Sequence, residues 1–128
     1  MRRVLILGGN RWLGARIAAA GLVHRVRLLG AVPHVELPVI FAAADVMALA
    51  SQSEGLANVW VESLASGTPV VITEAGGARE VVDRPAAVRI VSRTPEAFAQ
   101  GIGALLMDPP PQAEVRAAAA KFSWATNT

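Results

Sequence analysis

The 128-residue chain contains no cysteine and no tyrosine. Disulfides, thiol chemistry and Cys-bound zinc are therefore excluded. Histidine is scarce: His24 and His34 are the only two, too few for a metal centre without a carboxylate cluster around them. Lysine occurs once, as Lys121, and the remaining cations are arginines scattered along the chain. With a net charge of +2, that is no nucleic-acid footprint. No window approaches the ~18 uninterrupted apolar residues that a membrane span needs. Arg2-Arg3 followed by Val4-Leu-Ile-Leu7 has the look of a signal-peptide start. The apolar run stops at Gly8, too short for that purpose, and reads as a buried strand. A cytoplasmic protein is expected.

What is present is globular. Hydrophobic residues make up 53% and charged residues 17%, and the length suits one domain with a real core. Short apolar runs read as strands at Arg3–Leu7, Arg25–Leu29, Asp45–Ala50, Pro69–Thr73 and Ala87–Val91. Helical patterns fall between and after them, at Arg11–Gly21, Val39–Ala44, Asn58–Ala65, a short stretch opened by Gly76-Gly77, Thr94–Met107 and Glu114–Phe122. Gly67 reads as a C-cap glycine. Pro95 and Glu96 suit a helix start. Alternating strands and helices predict an α/β fold, a doubly wound, Rossmann-like parallel sheet covered on both faces. No domain boundary is visible within residues 1–128.

The most informative stretch is Ser51-Gln-Ser-Glu54-Gly-Leu-Ala-Asn58-Val-Trp-Val-Glu62-Ser. An apolar strand leads into a polar loop, a glycine and a helix start. This is how α/β folds build sites at the carboxyl ends of their strands. A helix N-terminus offers unpaired N–H groups to phosphate. The carboxylates of Glu54 and Glu62, eight positions apart, can accept hydrogen bonds from sugar hydroxyls. Phosphate seat and hydroxyl acceptors together suggest a sugar nucleotide. Taken alone, the two Glu residues would equally suit a solvated surface.

From about Ala19 to Trp124 the chain resembles the donor-binding domain of retaining GT-B glycosyltransferases of family 4 (group 1). The resemblance is carried by Arg25-Val-Arg-Leu-Leu-Gly30 with Val32, Glu36-Leu37-Pro38, Ala42-Ala-Ala-Asp45-Val and Ser53-Glu54-Gly55. It continues through Asn58 to Glu62, Ala65-Ser-Gly67-Thr-Pro69-Val-Val71, Gly76-Gly77-Ala-Arg-Glu80-Val-Val and Phe122-Ser-Trp124. It implies that Glu54 orients the transferred sugar and that Glu62 accepts from the ribose hydroxyls of a uridine- or guanosine-diphosphate donor. Backbone N–H groups of Gly55, Leu56, Ala57, Asn58 and Val59 would hold the diphosphate, and the loop from Gly30 to Val32 would lie against the base. Gly8 and Gly9 are counted among the donor-binding residues. The leaving diphosphate would be stabilised by fixed positive charge rather than a metal, and no cofactor beyond the donor substrate is expected.

The resemblance also implies an acceptor-binding domain that these residues do not contain. The family's first strand and helix, with the Arg and Lys that neutralise the diphosphate, have no counterpart before Val4. An incomplete enzyme, inactive alone, is therefore expected, with self-association possible through uncovered apolar surface. A strand removed from the sheet centre can be closed over: the predicted result is five strands in the order 2-1-3-4-5. The different-class alternative is a non-catalytic module that keeps only the scaffold.

A rival lies at the start. Val4-Leu-Ile-Leu-Gly8-Gly9-Asn-Arg-Trp12-Leu13-Gly14 resembles the opening of nicotinamide-dependent epimerases and reductases, with Arg11 in place of the middle glycine. No acid stands where strand two ends, at Leu28-Leu29-Gly30, and a Tyr-x-x-x-Lys pair is impossible. Elsewhere, Gly76-Gly77 is either a phosphate contact or a tight turn, and Glu80 either supports the site or complements a helix dipole. Trp60 reads as core packing, and His24 and His34 as exposed surface histidines.

Overall fold

The computed structural model describes residues 2–7, 13–50, 57–73 and 86–120. In chain order the elements are β1 (Val4–Leu7), α1 (Leu13–Ala19), a 3₁₀ turn (His34–Glu36), α2 (Leu37–Ala43), β2 (Val46–Leu49) and α3 (Ala57–Ala65). They continue with β3 (Val70–Thr73), β4 (Val88–Val91), α4 (Pro95–Met107) and α5 (Gln112–Ala120). The strands form one parallel sheet in the order β1-β2-β3-β4. Val4 pairs with Val46, Met47 with Val70, and Val70 with Val88.

Parallel strands must be covered on both faces, and the central two are. Every residue of β2 and β3 is buried. Alternation along the strands sends Met47, Leu49, Val70, Ile72 and Val88 to one face, where they pack with Phe41 of α2, Trp60 and Leu64 of α3, and Val115, Ala118 and Ala119 of α5. Val46 and Val71 point the other way, into a smaller cluster with Leu105, Phe98 and Ile102 of α4. The helix approaches the sheet closely there. A Cβ on Gly101 would stand 3.1 Å from Val71 Cγ1.

Local chemistry sets the element ends. The Ala97 N–H donates to Thr94 Oγ1 at 3.1 Å, capping α4 ahead of Pro95. Gly67 ends α3 at φ +86°, a backbone conformation that side chains resist, as expected of a C-cap glycine. Trp60, at 6% exposure, is core as expected.

One expectation needs correction. The α/β class and the succession of the paired strands stand, but among the described residues the sheet has four strands, not five: Arg25–Leu29 does not pair. The segment starts as a turn, with the Arg25 and Val26 N–H groups both spent on the Leu22 carbonyl at 2.8 and 3.1 Å. Val26, Leu28 and Leu29 remain 40%, 60% and 46% exposed. The reason is coverage. β1 already leaves Ile6 67% exposed on the face that α4 covers further along the sheet. A strand added beyond it would gain ladder hydrogen bonds but little apolar burial.

Among the described residues, no helix is long and apolar enough to cross a membrane.

Candidate functional site

The site is organised by a buried polar junction joining α2, α3 and β3. Ser63 Oγ donates to the Thr68 carbonyl at 3.0 Å. Thr68 Oγ1 donates to the Phe41 carbonyl near the end of α2, with the Ala44 carbonyl oxygen 3.4 Å away. The Thr68 N–H donates back to the Ser63 carbonyl at 3.0 Å. Ser63 and Thr68 are essentially inaccessible to water. The Ser63 hydroxyl satisfies a carbonyl between α3 and β3, and the Thr68 hydroxyl adds a second donor to the Phe41 carbonyl, which also accepts from the Ala44 N–H at 3.1 Å. The junction fixes α2 against α3.

A polar group stands outward from it on α3 and another on the turn before α2. Glu62 lies on α3, its side chain 35% exposed, and His34 opens the 3₁₀ turn leading into α2, 79% exposed. His34 Nε2 stands 3.3 Å from Glu62 Oε1, across 28 residues of sequence. Pro33 fixes the backbone ahead of the turn, and its carbonyl accepts from the Glu36 N–H at 2.9 Å.

The expected site residues divide as follows. Ala57, Asn58 and Val59 form the first turn of α3, the turn whose N–H groups have no partner within the helix. The helix starts one residue earlier than Asn58. Val59 turns its side chain partly into the core, so only its backbone serves such a site. Val32 is half-buried, and Gly30 is exposed at φ +69°. Glu54, Gly55, Leu56, Gly8 and Gly9 lie outside the described residues, as do Gly76, Gly77 and Glu80. The structure brings Glu62 together with His34, which is exposed at the surface as expected. No spacing rule links positions 34 and 62. The only available signal was that each lies at or on a helix flanking β2.

The family described as "Glycosyl transferases group 1" matches residues 2–122. The D-inositol 3-phosphate glycosyltransferase of Corynebacterium diphtheriae is 36% identical over 135 residues, covering 96% of this chain and 32% of the relative. The enzyme of the same name from Salinispora tropica is 36% identical over 112 residues, covering 84% of this chain and 23% of the relative. Among solved structures, Anabaena HepE in complex with UDP and glucose superposes with a TM-score of 0.75 at 26% identity, over 93% of this chain and 35% of that one. Sucrose-phosphate synthase from Thermosynechococcus elongatus gives 0.72 at 26% identity, over 91% and 31%.

The fold is that of a GT-B glycosyltransferase domain, and the chain belongs to the group 1 glycosyltransferases. It spans about a quarter to a third of the length of the curated relatives it matches. The match begins at residue 2, so the Val4–Gly14 stretch that resembles a dinucleotide fingerprint falls inside the glycosyltransferase family match.

Proposed function

We propose that this chain supplies the donor side of a retaining glycosyl transfer from a nucleoside-diphosphate sugar. The observation that carries the reading is the outward-facing Glu62 on α3, the helix whose first turn is Ala57–Val59, in a fold that matches a UDP-bound group of structures. Glu62 accepts from the ribose hydroxyls. The N–H groups from Gly55 through Val59 receive the diphosphate, where the positive end of the helix dipole favours an anion. Glu54 orients the sugar, the Gly30–Val32 loop borders the base, and Gly8 and Gly9 complete the donor contacts. In the reaction the bond from the sugar to the diphosphate breaks and its electron pair stays on the departing diphosphate. The N–H groups offset that developing charge. An acceptor-binding domain, in the same or another chain, supplies the hydroxyl whose oxygen bonds the sugar carbon and whose proton passes to the departing diphosphate. No resident cofactor takes part, and the donor pool such a reaction draws on fits a cytoplasmic location.

Calorimetric titration with uridine and guanosine diphosphates tests this. One of the two binds saturably, and Glu62→Ala weakens it by about ten- to a hundredfold, the scale of a lost charge-assisted hydrogen bond. Absence of binding by the unaltered chain at millimolar nucleotide refutes the proposal.

A further inference from the structure

We infer that His34 is a positioning residue for nucleotide recognition: its imidazole holds the Glu62 carboxylate in the orientation that meets the ribose. This rests on the reading of Glu62 given above. The geometry supplies the argument. His34 Nε2 lies 3.3 Å from Glu62 Oε1, and the two side chains sit on different elements. The buried Ser63–Thr68–Phe41 junction fixes α3 against α2, the helix that the 3₁₀ turn of His34 runs into. A carboxylate on an exposed helix face has free rotation about its side-chain bonds, and fixing such a side chain on binding costs entropy. A partner already bonded to one oxygen removes part of that cost before the ligand arrives. A carboxylate has about four lone-pair sites, so one N–H from His34 leaves room for two ribose hydroxyls.

The pair is unsuited to a purely stabilising role. His34 is 79% exposed and Glu62 35% exposed, and exposed ion pairs contribute little to folding. His34 also stands two residues beyond Val32, in the loop proposed to border the base. One short segment thereby meets the nucleotide at its base and, through Glu62, at its ribose.

The test is a titration of the chain with uridine and guanosine diphosphates and with the dideoxy analogue of the tighter binder, which lacks both ribose hydroxyls. His34→Ala weakens the parent nucleotide by about three- to tenfold, the scale of one hydrogen bond. It leaves the dideoxy analogue unchanged. His34→Gln, whose amide nitrogen reaches a similar position, restores most of the loss. In a Glu62→Ala background, His34→Ala has no further effect. Equal weakening of both ligands, or no weakening of either, overturns the inference while the donor-site reading survives. Failure of the unaltered chain to bind either diphosphate overturns both.

Discussion

β1 and β2 are neighbours in the same sheet, of equal length and similar apolar character, and they end up in opposite conditions. Val46 and Met47 are fully buried, while their register partners' strand leaves Val4 37% and Ile6 67% exposed. Composition does not separate Val-Met-Ala-Leu from Val-Leu-Ile-Leu. Coverage does. β2 has α2, α3 and α5 on one face and α4 on the other. Among the described side chains, Leu5 is the one from β1 that packs against the larger cluster, and none from α1 joins either cluster. A ladder of hydrogen bonds thus extends further than the hydrophobic core that makes it stable. The backbone supplies the ladder uniformly, whereas apolar burial depends on where helices lie.

Substitutions on the two sides should show the contrast. The largest effect is expected at Phe41, fully buried beneath α2 in the larger cluster. Phe41→Ala should cost about 3–5 kcal/mol through lost burial and a residual cavity, read as a lowered urea midpoint. Little loss there would mean that the α2 side is no better packed than β1, and the comparison would collapse. Next comes Thr68→Val, which keeps the shape but removes the hydroxyl that serves the Phe41 carbonyl. A cost of about 0.5–1.5 kcal/mol is expected for the lost hydrogen bond, since the Phe41 carbonyl still accepts from the Ala44 N–H at 3.1 Å. The same substitution should loosen α2 against α3 and so weaken nucleotide binding in parallel. The smallest effect is expected at the open face. Ile6→Thr keeps β-branching at a 67% exposed position and should change stability by under about 0.5 kcal/mol. It should also lower any concentration-dependent association seen by sedimentation, since exposed apolar patches favour contact between molecules. A large stability loss would mean that this face is covered in solution.

Much of the fold was legible from local pattern. The four strands that pair, the start of α4 at Thr94-Pro95 and the end of α3 at Gly67 all follow from apolar runs and capping chemistry. Arg25–Leu29 misled because its apolar run suits a strand as well as the others do. What it lacks is a covered edge to join, and its first N–H groups are already used in the turn after α1. At the site, Glu62 could be singled out from its place in the Glu54–Glu62 motif. His34 could not, because its significance comes from a contact across 28 residues.

By itself the sequence determined the α/β alternation, the family and the candidate donor residues on α3, because helix and strand periods, caps and motif spacings are properties of neighbouring positions. The tertiary structure alone decided that Arg25–Leu29 stays out of the sheet and that His34 meets Glu62. Both outcomes depend on which surfaces remain to be covered once the helices have packed. That balance of burial belongs to the assembled chain and to no single segment of it.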